Sequence, residues 1–340
     1  MSSIIFNLFL TFGLILSLFL NRIFHQLYFK QNLIDEINHR SSHTVIATRS
    51  GGIAIFSSLF IVLIVFHYIY DLNYNLNLIS ALFISLTTGF FDDIFKLSYR
   101  YKIIIQIFVG YLLTQSGYMI NDFHGVFGLN TIPYYPSICI SVFVYLVITN
   151  AFNLIDGIDG LLGLMSSYIL IVFSILFWAS SIELFTISIP LIGIIGGLLY
   201  HNFKPIKKVF LGDAGSLTIG TLFSFFAFWL LDSNNVLVTE PYINRSLFAV
   251  LIFIYPLSDT LRVFILRISK GKSPFHPDRL HLHHYLVDKG YTHIYASVQI
   301  VFFSAVLLFL NLLLYNILEL NYAIMFNLTY LISIFYLRFR

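Results

Sequence analysis

Four groups of polar residues interrupt an otherwise apolar chain, and each has residue types that can handle phosphate or a metal ion. The first is the adjacent pair Asp92 and Asp93, which ends an apolar run and is followed by Lys96, Arg100 and Lys102. Two neighbouring carboxylates repel each other unless a cation or a proton relieves them. Beside lipid headgroups that favours Mg²⁺, a hard ion that takes oxygen ligands and bridges to phosphate. A solvated helix end with ionic neighbours explains the pair equally well on its own. In the second group Asn150, Asn153, Asp156 and Asp159 recur at every third position, with Gly157 and Gly160 among them. On a helix or tight helical turn that spacing sets them along one side. A polar turn with Asx caps is the plain alternative. The third group, Gly212-Asp213-Ala214-Gly215-Ser216, opens an apolar run. Small residues beside an Asp at a helix N-terminus suit a metal-phosphate site, although Asp and Ser are also ordinary N-caps. The fourth runs from Ser273 to His284 and holds His276, His281, His283 and His284 together with Arg279. Such a tract can ligate zinc, but no cysteine accompanies it and Lys272 and Arg279 repel a cation. A polyanion such as a diphosphate fits better, with anionic lipid headgroups as the alternative. A fifth stretch, Asn38–His43 through Arg49-Ser50-Gly51-Gly52, combines hydroxyls, cations and glycines and could also hold phosphate. His25, His67, His124 and His293 carry no motif and read as interfacial or loop residues.

The elements that must position these groups are membrane helices. The chain has 340 residues, 58% of them hydrophobic and 10% charged, with a mean hydropathy of +0.86. Soluble domains carry about 25% charged residues, so an ordinary soluble enzyme, a disordered chain and a collagen are excluded. The single cysteine, Cys139, excludes an intrachain disulfide and a Cys-based metal cluster. Eleven apolar stretches run at about 4–20, 51–70, 78–91, 103–120, 137–150, 161–180, 184–200, 216–231, 246–266, 296–316 and 321–337. Most approach the ~20 residues that span hydrocarbon as a helix. The stretches at 78–91 and 137–150 are short and end in polar residues that can continue a helix beyond the lipid. Runs such as Ile103-Ile104-Ile105 lack the alternation of a β-barrel. The first stretch has no preceding basic residue and no clear cleavage site, which favours a retained helix with its N-terminus outside. With that topology, eighteen of the nineteen Lys and Arg residues fall on the inner side and Arg245 alone lies outside, as the positive-inside rule requires. The expected fold is all-α, a polytopic integral membrane protein of about eleven transmembrane helices, N-terminus periplasmic or outside and C-terminus cytoplasmic. Residues 1–340 form a single multi-pass domain, with the chemistry in loops at the inner face.

The four groups, in this order and spacing, resemble the polyprenyl-phosphate N-acetylhexosamine-1-phosphate transferases of glycosyltransferase family 4, over about Asp35 to Gly290. The paired-aspartate motif falls on Asp92 and Asp93, with Lys102 and Gln106 matching the Lys-x3-Gln element that follows. The Asn-x2-Asn-x2-Asp-Gly-x-Asp-Gly motif is complete at Asn150, Asn153, Asp156 and Asp159, and Gly-Asp-x-Gly-Ser is complete at Gly212–Ser216. The His tract is similar to the Asp-Arg-x-His-x-His-His form of enzymes that initiate O-antigen, enterobacterial antigen or teichoic acid linkage units. It departs from the consecutive-His form of the muramoyl-pentapeptide enzyme of peptidoglycan synthesis. A second departure lies before Arg49, where Ile46 and Thr48 stand in place of prolines.

The resemblance implies transfer of a sugar 1-phosphate, most simply N-acetylglucosamine 1-phosphate, from a UDP-N-acetylhexosamine to undecaprenyl phosphate, with release of UMP. Asp213, with Asp156, would hold Mg²⁺ or, in its place, Mn²⁺. Asp92, Asp93, Asp156, Asp159, His281, His283 and His284 would be the catalytic residues. Arg49, Lys102, Asn150, Asn153, Asn202, Phe210 and Arg279 would bind substrate, with Asn202 and Phe210 beside the uracil. Direct attack by the acceptor phosphate and a covalent aspartyl-phosphate both remain open. Partners expected are the two substrates and the lipid bilayer, with a homodimer as one option and no nucleic acid. The location implied is the inner, cytoplasmic membrane with the site facing the cytoplasm. The alternatives are the muramoyl-pentapeptide reaction, a transporter, for which midplane acids and inverted repeats are expected, and a lipid-binding scaffold.

Overall fold

The computed structural model describes residues 3–35, 46–235, 244–274 and 278–315 and part of 320–329. The helices are α1 (Ser3–Lys30), α2 (Gly51–Tyr70), α3 (Leu76–Phe95), α4 (Tyr99–Thr114), α5 (Tyr134–Ile155), α6 (Leu161–Ser180), α7 (Ile182–Asn202), α8 (Gly212–Leu231), α9 (Arg245–Ile252), α10 (Ile254–Ser269), α11 (Leu282–Asp288) and α12 (His293–Leu314). Among the described residues eight are long and apolar enough to cross a membrane, or nine if α9 and α10 count as one span. A backbone in lipid must satisfy its own hydrogen bonds, and helices do so internally. The two short apolar stretches do continue as helix, α3 through Asp92 and Asp93 and α5 through Asn150 and Asn153. The stretch at 246–266 is two helices bent by 74° at Phe253. Helix α4 is a 16-residue element, and the stretch at 321–337 lies largely outside the described residues.

Helix α8 is the axis of the bundle. Every one of its residues except Asp213 is buried. Between two membrane helices the apolar side chains gain little over lipid, so close approach and polar contacts hold the packing. A Cβ on Gly52 of α2 would sit 2.2 Å from the backbone N of Gly215, and one on Gly89 of α3 would sit 2.3 Å from the carbonyl of Asp213. Glycine at these two points lets α2 and α3 lie against the first turn of α8. Farther along, Ser85 and Tyr145 both hydrogen-bond Thr221, at 2.7 and 3.2 Å.

One short sheet departs from the all-helical expectation and ties two loops at the cleft-bearing end. Strands β1 (Ala47–Thr48) and β2 (Lys208–Val209) pair in parallel. The pairing continues as the N–H groups of Gly51 and Gly52 donate to the carbonyls of Phe210 and Leu211 at 2.9 and 2.8 Å. The loop before α2 is thereby zipped to the loop before α8, which fixes Arg49, Lys208 and Phe210 beside one another.

Candidate active site

A cleft of about 340 Å³ opens among the C-terminal ends of α5 and α7 and the N-terminal ends of α6 and α8. Its walls include Arg49, Asn153, Asp156, Asp159, Asn202, Phe210, Asp213 and His284, eight of the residues singled out from the sequence. These positions span 236 residues of chain, so the fold has gathered three of the four motifs and the Arg49 loop into one recess, with the paired aspartates outside its lining. Residues 36–45 and 275–277, which carry Asn38–His43 and His276, lie outside the described residues.

Asp213 stands at the mouth of α8, where Gly212 takes a φ of +72° that a side chain would strain. Its carboxylate lies 3.6 Å from Nζ of Lys102, which also contacts Asp92 at 2.8 Å. Lys102 thus bridges the paired-aspartate motif to Asp213 from behind the cleft wall. Asp93 has a different place. Its two oxygens accept the N–H groups of Asp213 and Ala214 at 3.0 and 3.1 Å, and Arg49 reaches it at 3.3 Å. That makes it a cap on α8, satisfying donors that a helix start leaves open. The adjacent aspartates therefore divide their work: Asp93 holds the helix that presents Asp213, and Asp92 pairs with a cation.

The Asn/Asp row also divides. Asn150 donates to Gln106 at 3.2 Å and to the Leu146 carbonyl at 2.8 Å, outside the cleft lining. Asn153 donates to Ser216 of α8 at 2.9 Å. Helix α5 ends at Ile155, and Asp156 follows as its cap. Burial, reinforced by the charges of Asp93 and Asp159, pushes the Asp156 carboxyl up to about 7. Asp159 goes the other way: burial opposes its charge, but hydrogen bonds from His293 at 2.8 Å and Lys208 at 2.6 Å overcome that and hold it below the usual carboxylate range. His293, read from sequence as a motif-free loop residue, is thus the partner of a cleft carboxylate. Lys208 was missed as well, because its motif exists only once β2 pairs with β1. Asn202 donates to the Val209 carbonyl at 2.9 Å, while its own amide oxygen is buried without a partner. Phe210 lies 5.5 Å from the Lys208 ammonium, ring to cation.

The His tract folds over the Gly157 turn. A Cβ on Gly157 would lie 2.3 Å from Nε2 of His283, so only glycine admits this approach. His284 lines the cleft, and burial together with the nearby Arg279 lowers its pKa to about 4. His283 hydrogen-bonds the Tyr255 hydroxyl at 3.1 Å. His281 pairs through Nδ1 with Asp259 of α10 at 2.8 Å. Arg279 sits at the surface with Asp288, 2.9 Å away, and is not part of the cleft wall. Asp259, His281 and His283 present ligand atoms within 4.8 Å of one another. Yet Arg262 already contacts Asp259 at 2.6 Å and the Leu282 N–H donates to it at 3.0 Å. Asp259 thus already pairs with a guanidinium, a backbone N–H and His281, so this group works as a hydrogen-bonded His–Asp pair. A divalent ion fits better in the cleft. Asp213 and Asp156 offer oxygen ligands there, the hard donors that such an ion takes.

Comparison with known proteins identifies the family. The model of glycosyl transferase family 4 matches residues 74–231. Undecaprenyl-phosphate alpha-N-acetylglucosaminyl 1-phosphate transferase of Escherichia coli K12 is 30% identical over 295 residues, covering 82% of this chain and 75% of that protein. The enzyme of the same name from Yersinia pestis is 32% identical over 289 residues, covering 82% and 76%. A Bacillus subtilis protein named a probable undecaprenyl-phosphate N-acetylglucosaminyl 1-phosphate transferase is 29% identical over 288 residues, covering 83% and 77%. With these relatives spanning most of its length, the chain belongs to glycosyl transferase family 4.

Proposed function

We propose that this protein is a phosphoglycosyl transferase that moves N-acetylglucosamine 1-phosphate from UDP-N-acetylglucosamine to undecaprenyl phosphate and releases UMP. The observation that carries the reading is the cleft itself, where Asp156, Asp159 and Asp213 face the cation Arg49 and the aromatic ring of Phe210. The names of the relatives supply the acceptor and the sugar. Phe210 and the unpartnered amide oxygen of Asn202 suit a uracil, one by stacking and the other by accepting its N–H.

Asp213 and Asp156 would hold Mg²⁺, with Mn²⁺ as a substitute, and the ion would neutralise charge on the donor diphosphate. Lys102 and Arg49 add fixed positive charge on the side of Asp92 and Asp93. Asp92 orients the acceptor phosphate, or takes its proton if it arrives monoprotonated. An acceptor oxygen then attacks the β-phosphorus and UMP leaves. Both substrates are anions, so holding them in line in a cationic frame supplies much of the rate. Outside the cleft lining, the Asp259 carboxylate fixes the tautomer and orientation of His281.

We place the cleft on the cytoplasmic side of the inner membrane, in a single domain of eleven spans with the N-terminus outside. Eighteen of nineteen basic residues fall on that side in this topology. The test is UMP release by purified protein with undecaprenyl phosphate, Mg²⁺ and separate UDP-hexosamines. Activity that needs lipid, metal and Asp213 supports the reading. Folded protein silent with every donor, or Asp213→Ala as active as wild type, refutes it.

A further inference from the structure

The same end of the bundle carries a second recess, about 470 Å³ in volume, on the flank formed by α1 and α7. Leu14, Leu18 and Arg22 line one side of it, and Tyr200, His201 and Lys204 the other. None of the six lines the cleft. Leu14, Leu18 and Arg22 follow one another at four-residue intervals, so they form a single stripe along α1. At 1.5 Å per residue, the Arg22 position lies about 6 Å beyond Leu18 and about 12 Å beyond Leu14. The recess is therefore apolar in its depth and cationic at its mouth.

Among the described residues no carboxylate pairs with Arg22 or Lys204. The Lys204 ammonium sits 4.1 Å from the centroid of the Tyr200 ring, which holds it at the mouth. The walls are already in place. A Cβ on Gly13 would meet the Pro190 carbonyl at 2.4 Å, and one on Gly193 would meet the Leu10 carbonyl at 2.1 Å, so α1 and α7 touch through their backbones. Ser17 adds a hydrogen bond to the Ile194 carbonyl at 2.6 Å.

We propose that this recess binds one anionic phospholipid, with its phosphate between Arg22 and Lys204 and an acyl chain along Leu18 and Leu14. The complementarity selects the occupant. A free phosphate would leave the apolar depth uncovered, and a zwitterionic headgroup would bring its own cation against Arg22 and Lys204. A juxtamembrane Lys or Arg attracts anionic lipid by about fivefold, so two predict a preference of roughly 25-fold. The bound lipid would also steady the end of α7, where Asn202, two residues before Lys204, lines the cleft.

Native mass spectrometry of the full-length protein, with equimolar phosphatidylglycerol and phosphatidylcholine, tests the proposal. Wild type retains phosphatidylglycerol with at least a tenfold preference, and the Arg22→Gln/Lys204→Gln variant falls to parity. Lys270→Gln/Lys272→Gln, which removes two charges elsewhere on the same end, keeps the wild-type preference. Excess inorganic phosphate or glycerol phosphate does not displace the lipid. Lys204→Glu alone gives the same loss should the double variant fold poorly, a point checked by its melting temperature in lipid-free detergent. An unchanged preference in the recess variants, an equal loss in the lysine control, or displacement by inorganic phosphate overturns the proposal. None of these outcomes depends on the reaction assigned to the cleft.

Discussion

Replacing Asp93 by Asn separates the two neighbouring aspartates. The Asp93 side chain is 4% exposed, and its oxygens cap two N–H groups at 3.0 and 3.1 Å. Asparagine keeps one acceptor and turns an NH₂ toward the other donor. A buried donor left without a partner costs about 1–3 kcal/mol. Losing an anion at a helix N-terminus adds about 0.3–1 kcal/mol. Together these amount to roughly 1–4 kcal/mol, or a fall in melting temperature of about 3–16 °C at the 2–4 °C per kcal/mol of a large domain. Asp92→Asn removes charge from a group that pairs with Lys102 at 2.8 Å and caps no helix start. It should leave the melting temperature nearly unchanged while UMP release drops at least about a hundredfold. The assay is unfolding followed by the fluorescence of Trp178 and Trp229 in detergent, paired with initial rates of UMP release. An Asp93→Asn protein that melts with wild type would refute the capping argument, and an active Asp92→Asn protein would refute the assignment of Asp92.

Three further outcomes follow from the geometry. Gly52→Ala puts a methyl 2.2 Å from the Gly215 backbone N, so it should cost about 1–3 kcal/mol of overpacking and lower the melting temperature by several degrees. Asp156 has a folded pKa of about 7, above its unfolded value of about 3.9. The folded state thus holds a proton that the unfolded state releases, and stability falls as pH rises from about 4 to 7, then levels. Melting temperatures measured in chelator should show that slope in wild type and lose it in Asp156→Asn, whereas Mg²⁺ at pH 8 should raise only the wild type strongly. Asp259→Ala leaves Arg262 buried and unpaired, which costs about 3–5 kcal/mol. Its expression and melting temperature should fall much further than those of Arg279→Ala, whose Asp288 pair is at the surface.

The helices and the donor side of the cleft were legible because their signals are local. Apolar length marks α2, α6 and α8, and the three-residue spacing of Asn153, Asp156 and Asp159 survives folding as one wall. What could not be read depends on contacts between distant segments. Asp93 looks like its neighbour until α8 is laid against α3. Lys208 and His293 gain meaning only when the sheet and α12 bring them to Asp159. Asp259 sits in an apolar run 22 residues before His281, and only the bend at Phe253 and the return of the His tract join them. Arg279 matched a motif, and its pairing with Asp288 outside the cleft lining shows only in the fold.

The central claim concerns which bond breaks, and label transfer tests it most directly. UDP-N-acetylglucosamine carrying ³²P only at the β-phosphorus would be incubated with the protein, undecaprenyl phosphate and Mg²⁺. Sugar-1-phosphate transfer puts the label in the lipid and releases unlabelled UMP, and Asp213→Ala leaves the label in the donor. Labelled UDP with an unlabelled lipid product would mean that only the sugar moved, and would contradict the account.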